Sequence, residues 1–103
     1  MSSPLTQGEL SAALIGYATD KFAPKTIDGT LPNSVRTRVS SAVLKMTTAE
    51  RTTQADLDEA ELAFSYLVAE CVRQSSADGR SHINAKDFEN ARHSSEAKWP
   101  FAL

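Results

Sequence analysis

The stretch GRSHINAKDFENARH, residues 79–93, decides how this chain is interpreted. It is typical of a turn at Gly79, a short extended segment from Ser81 to Ile83, and a helix capped by Asn84. Arg80 stands seven residues ahead of Asp87, which falls at the third position of the predicted helix. The structural role of Arg80 and Asp87 depends on how the preceding helices are arranged.

Length and composition predict one small domain. The chain has 103 residues, of which 41% are hydrophobic and 7% aromatic, which is enough for a packed core of small aliphatic side chains. Cys71 is the only cysteine, so an internal disulfide is excluded and a reducing compartment is favoured. No apolar run approaches the ~20 residues of a membrane span, and the N-terminus lacks a signal-peptide pattern. We therefore expect an intracellular, soluble protein with no membrane partner.

The charges are unevenly distributed. The formal net charge of −2 argues against a strongly basic nucleic-acid binder. Residues 33–55 nevertheless carry a local charge of +3, and residues 56–70 carry −5 with no basic residue. A solvated helix face is one interpretation of each segment.

Two helices are predicted before residue 50. Thr6 and Glu9 form a capping pattern at the start of the first helix, which ends at Pro24. Residues 24–32 contain two prolines and a glycine, so they form a connector. The second helix begins just after Pro32, and its apolar residues recur at helical spacing: Val35, Val39, Ala42, Val43 and Met46.

The third predicted helix is the longest. Either Thr47 with Glu50 or Thr53 with Asp56 can cap it, and we prefer Thr53 because the acidic residues then lie near the positive end of the helix dipole. Its apolar face contains Leu57, Ala60, Phe64, Leu67, Val68, Cys71 and Val72. Ala63 and Tyr66 widen that face, which predicts contacts on more than one side.

Three stretches carry a resemblance to a known family: LPNSVRTRV (31–39), AERTTQADL (49–57) and GRSHINAKDFENAR (79–92). In this order they resemble the histone fold of archaeal histones and of transcription- and replication-factor subunits, over about residues 31–93. The resemblance implies an all-α fold with a short helix, a long central helix and a short last helix. Residues 1–30 would add an N-terminal helix and linker, and residues 94–103 a C-terminal tail.

The resemblance also implies roles for particular residues. In histone-fold proteins the arginine of the second loop forms an ion pair with the aspartate seven residues on, so Arg80 is expected to bind Asp87. The alternative is a surface arginine and an aspartate that only starts a helix. Histone folds pair across their long helices, so the chain is expected to form a homodimer or a heterodimer with another histone-fold chain. The expected interface residues are Leu57, Ala60, Phe64, Leu67, Val68 and Cys71.

Double-stranded DNA is the further partner implied by the resemblance. The expected DNA-binding residues are Arg51, Thr52 and Thr53 in the first loop, Arg80, Ser81 and His82 in the second loop, and Arg36 and Arg38 on the second predicted helix. Such binding does not depend on the DNA base sequence, and its affinity falls as the salt concentration rises. It should be modest, because Ser81 and His82 stand where the family usually carries positive charge. The resemblance thus implies a subunit of a chromatin, transcription or replication complex, nuclear in a eukaryote and otherwise cytoplasmic or nucleoid-associated.

The residues give little support to an enzyme. His82 and His93 are the only histidines, and with one cysteine no metal-ligand spacing emerges, so we expect no catalytic residue, metal or cofactor. The alternative to a DNA-binding dimer is a small helical protein–protein adaptor whose loops only mimic the histone pattern. Trp99 and Phe101 in the tail either pack against the domain or anchor a partner.

Overall fold

The computed structural model describes residues 4–93, and within them the protein is all-α. Its helices are α1 (Gln7–Phe22), α2 (Asn33–Thr48), α3 (Gln54–Ala77) and α4 (Ala85–Arg92), with a single 3₁₀ turn at Ala23–Lys25. The order and type of these helices agree with the sequence prediction. The expectations for Trp99, Phe101 and the rest of the tail lie outside the described residues.

Capping boxes start three of the four helices. The side chains of Thr6, Thr53 and Asn84 each accept a hydrogen bond from the backbone N–H three residues on. In return, the acidic side chain at that third position accepts one from the cap's own N–H. The preference for Thr53 over Thr47 is confirmed, because α2 continues through Thr47, whose hydroxyl donates 2.9 Å to the carbonyl of Val43.

Helix α1 lies at the centre of the fold, packed against both α2 and α3. Before α1, the N–H of Leu5 donates 2.7 Å to the carbonyl of Thr52, which precedes α3. After α1, the carbonyl of Lys25 accepts 2.9 Å from the N–H of Ile83, which follows α3. Helices α1 and α3 therefore run side by side in the same direction. In the described part of the chain, the backbones of α2 and α3 do not approach each other closely.

The buried side chains form one core to which all four helices contribute. Rings from α1, α3 and α4 meet at its centre: Phe22 lies 6.0 Å from Phe88, and Phe64 lies 6.0 Å from Phe88 and 6.2 Å from Tyr17. The Phe22–Phe88 and Phe64–Tyr17 pairs meet edge to face, which stabilises a core beyond the area it buries. The N-terminal helix, which the minimal histone fold does not include, thus contributes to this core. None of the described helices has the length and apolar character needed to cross a bilayer.

Candidate functional site

The second loop, residues 78–84, is built around Arg80. Its Nη1 donates 3.0 Å to Oδ2 of Asp87, and its Nη2 donates 2.6 Å to Oδ1 of the same carboxylate. Asp87 is only 2% exposed and also accepts 2.9 Å from the N–H of Asn84. The hydrogen bonds from Arg80 hold the pKa of Asp87 below its usual value, although burial acts in the opposite direction. The bidentate pair fastens α4 to the end of α3.

The guanidinium of Arg80 has further partners. Its Nη2 donates 3.0 Å to Oδ2 of Asp78, and its Nη1 donates 3.3 Å to the carbonyl of His82. One positive charge therefore faces two carboxylates. The neighbouring Ser81 and His82 are exposed, and together with Ile27 they border an open groove beside the loop. The arrangement of Arg80 is that of a structural residue, and it leaves the loop without a surplus of positive charge.

The first loop, residues 49–53, is electrostatically balanced as well. Nη1 of Arg51 lies 4.0 Å from Oδ1 of Asp56 and 3.8 Å from Oε2 of Glu59. Thr53 is used as the cap of α3, and the Thr52 carbonyl accepts the hydrogen bond from Leu5. Because Arg51 is 53% exposed, these ion pairs are weak and the arginine can reorient.

Helix α3 separates the two loops. Its 24 residues span about 36 Å at the 1.5 Å rise of an α-helix. A single chain therefore does not bring Arg51 and Arg80 together. An antiparallel arrangement of two chains would place a first loop beside a second loop.

Helix α2 carries only basic charged residues. It contains Arg36, Arg38 and Lys45 and no acidic residue. Arg38 reaches α4, where its Nε lies 3.3 Å from Oε1 of Glu89. Arg36 is exposed, and the exposed hydroxyl residues near it on the helix are Ser34, Thr37, Ser40 and Ser41.

The six residues expected at a dimer interface are covered within the chain itself. Leu57 and Val68 are 5% exposed, and Phe64 is 1% exposed. Ala60, Leu67 and Cys71 have no exposed surface. Since α1 and α4 pack against α3, this face needs no second chain to bury it. Within the single chain these six side chains therefore leave little surface for a partner to contact.

The exposed apolar side of α3 is a different one. Leu62 is 53% and Tyr66 57% exposed, and Ala69 continues their row toward the end of the helix. The sequence pattern places Tyr66 with Ala63 on a widened apolar face, but in the structure Ala63 is buried and Tyr66 is exposed. In the sequence, residues 62, 66 and 69 recur at helical spacing on a side of α3 different from the core face, and this spacing is the signal for the row.

The described residues include neither a metal-binding cluster nor an accessible thiol. They contain no group of three or more histidine, cysteine, aspartate or glutamate side chains able to hold a metal ion. Burial, reinforced by the charges of Asp87 and Glu70, raises the pKa of the Cys71 thiol to about 12. Cys71 is therefore a packed thiol rather than a nucleophile.

No protein-family model, curated protein or solved structure matches the chain.

Proposed function

We propose that this protein is a non-enzymatic assembly subunit that pairs with another protein chain through the outer face of α3. The exposed side chains of Leu62 and Tyr66, one helical turn apart, carry this proposal. Neighbours at this spacing form a continuous apolar strip on a helix. Covering the strip with a partner removes apolar area from water, at about 25 cal/mol per Å².

The order of helices and loops supports kinship with histone-fold subunits, which also work in pairs. The face proposed here differs from the one that the resemblance implies, because the side chains of that face lie in the core of the single chain. A subunit of this kind brings chains together, and the α1 helix lets it fold before it binds.

Photo-crosslinking tests the proposal in cells that express the protein. A benzoylphenylalanine placed at Tyr66 should give a discrete adduct with another protein chain. The matched control is the same residue placed at Leu44, which is 55% exposed on α2. The absence of any adduct at position 66, or identical adducts at both positions, would contradict the proposal.

Sequence-independent binding of double-stranded DNA, in a chromatin, transcription or replication complex, is the second candidate. The acid-free helix α2 favours it, because exposed Arg36 and adjacent hydroxyls suit phosphate contacts. Arg51 and Arg80 already face carboxylates, so we expect Arg36 to contribute more.

Fluorescence anisotropy with a labelled duplex over a salt series tests this candidate. Arg36→Ala should weaken binding and lower the slope of log affinity against log salt by about one. Lys25→Ala, which removes the same charge from an exposed position outside α2, serves as the control. Equal effects of the two variants, or no binding at low salt, would reject DNA contact by α2.

A further inference from the structure

We propose that the partner of α3 is a second copy of this chain, bound antiparallel along one row of exposed residues. This inference rests on the proposed function and identifies the partner of the same surface. The row, called here the outer stripe, runs along α3 from Ala55 to Ser76. Its members are Ala55, Glu59, Leu62, Tyr66, Ala69, Arg73 and Ser76.

The spacing of the outer stripe suits a helix pair. Its members are separated alternately by four and three residues, which is the 3.5-residue repeat of a coiled-coil seam. All seven residues are exposed in the single chain. The stripe is therefore an exposed row along α3, separate from the face that α1 and α4 cover.

The stripe is complementary to itself when it is reversed. Glu59 lies toward the start of the stripe and Arg73 toward its end. Leu62, Tyr66 and Ala69 lie between them. In an antiparallel pair centred near residue 66, Glu59 of each copy faces Arg73 of the other. Leu62 then packs against the small Ala69 of the second copy, and the two Tyr66 rings meet at the two-fold axis.

Charge also selects the direction of pairing. A parallel pair in register would place Glu59 against Glu59 and Arg73 against Arg73, which repels at both positions. The antiparallel pair converts both repulsions into attractions. This internal match favours a second copy over an unrelated chain.

The charged ends are accessible in the single chain. Glu59 is 53% exposed beside Arg51, and the side chain of Arg73 is 65% exposed while it contacts Glu70. Since a guanidinium has five N–H donors, Arg73 can keep Glu70 and still reach a second carboxylate.

One helix pair makes a small interface. Specific stable interfaces bury at least ~1,200 Å² in total, and a single stripe falls at or below that limit. We therefore expect a dimer that dissociates on dilution, with dimer and monomer in exchange at micromolar to millimolar concentrations.

Light scattering coupled to size exclusion, over a wide range of loading concentrations, gives the first test. The wild-type chain should shift from monomer to dimer mass as its concentration rises. Leu62→Glu should raise the dissociation constant roughly tenfold or more. Leu44→Glu makes the same change at an exposed leucine of α2 and should leave the dimer intact.

Charge exchange tests direction and register. Glu59→Arg should weaken the dimer, because it places like charges together at both ends, and Arg73→Glu should do the same. An equimolar mixture of the two variants should dimerise again, since both contacts are then between opposite charges. Circular dichroism establishes that each variant is folded before its mass is interpreted.

Cross-linking provides a version that does not depend on charge reversal. Under mild oxidation Tyr66→Cys should form a disulfide-linked dimer, whereas Leu44→Cys should not. The native Cys71 is buried and does not compete.

A chain that stays monomeric at every concentration, and fails to cross-link at position 66, overturns the second-copy proposal. If position 66 still gives a cellular adduct with a different protein, the assembly role survives and only the identity of the partner is wrong. Failure of both experiments removes the function itself.

Discussion

The carboxylate of Asp87 in α4 is held by both terminal nitrogens of Arg80, at 2.6 and 3.0 Å, while Asp87 is only 2% exposed. The same carboxylate accepts from the N–H of Asn84 and so completes the cap of α4. One residue thereby closes the helix start and joins it to the preceding loop. An eight-residue helix has too few internal hydrogen bonds to hold its position unaided.

Replacing Asp87 should loosen α4. Asp87→Ala removes the ion pair and the reciprocal cap together, and we expect a loss of about 1–3 kcal/mol in the free energy of unfolding. Arg80→Ala should destabilise the protein in the same direction, because it leaves a buried carboxylate without its charged partner. Urea unfolding monitored by circular dichroism measures both effects.

Asp78→Asn is the matched control for this ion pair. Asp78 binds the same guanidinium at 3.0 Å, but its side chain is 68% exposed. Solvent-exposed ion pairs contribute little, so the variant should stay within about 0.5 kcal/mol of wild type. Equal losses for Asp78→Asn and Asp87→Ala would show that burial is not what gives the pair its effect.

The ion pair also predicts how stability depends on pH. The hydrogen bonds from Arg80 lower the pKa of Asp87 below its usual 3.8 in the folded protein. A carboxyl group with a depressed folded pKa stabilises the fold above its unfolded pKa, and this contribution is lost as pH falls through the folded pKa. The unfolded chain binds the proton first, so stability should begin to fall near pH 4 and continue to fall below it.

Asp87→Asn isolates that contribution. Its unfolding free energy should be lower at neutral pH and should depend less steeply on pH below 4 than that of the wild type. Urea midpoints measured from pH 7 to pH 2.5 give the two curves. Parallel curves would mean that the titration of Asp87 is not linked to folding.

Local sequence signals predicted the helices well because the decisive interactions are local. Thr53 with Asp56, and Asn84 with Asp87, cap helices through bonds between residues three apart, which a sequence displays directly. Gly79 takes the left-handed conformation expected after a helix end, with φ 73°.

The packing partner of each apolar face could not be predicted in the same way. The periodicity of Leu57, Phe64 and Leu67 shows that this face is buried, but not whether α1 or a second chain buries it. That choice depends on the long-range contacts of Leu5 with Thr52 and of Lys25 with Ile83, which are backbone hydrogen bonds without a side-chain signature.

Two left-handed positions give a matched prediction about the backbone. Glu50, after α2, has φ 59°, and Gly79, after α3, has φ 73°. Left-handed geometry costs a residue with a side chain about 1–2 kcal/mol, whereas glycine adopts it freely. Glu50→Gly should therefore stabilise the protein by up to about 1 kcal/mol, and Gly79→Ala should destabilise it by about 1 kcal/mol.

Thermal and urea unfolding of these two variants check the prediction. A Cβ at position 79 would meet no atom within 4 Å, so a loss there reports backbone strain rather than a clash. Opposite signs for the two substitutions are the expected result. A destabilised Glu50→Gly protein would show that the Glu50 side chain contributes more than the strain costs.

Leu62 and Leu67, on the same helix, should differ strongly in how much their truncation changes stability. Leu67 has no exposed surface, so Leu67→Ala should lower the unfolding free energy by about 2–5 kcal/mol through lost burial and a residual cavity. Leu62 is 53% exposed, and Leu62→Ala should change the stability of the monomer by no more than about 0.5 kcal/mol.

The aspartate versions sharpen the contrast. Leu67→Asp places an unpaired charge in the core and should unfold the chain, instead of giving a folded monomer as pairing through that face would require. Leu62→Asp should remain folded, with an undiminished helical circular dichroism signal, and lose only self-association. A folded, monomeric Leu67→Asp protein would show that the chains pair through the face of α3 that α1 covers in this structure.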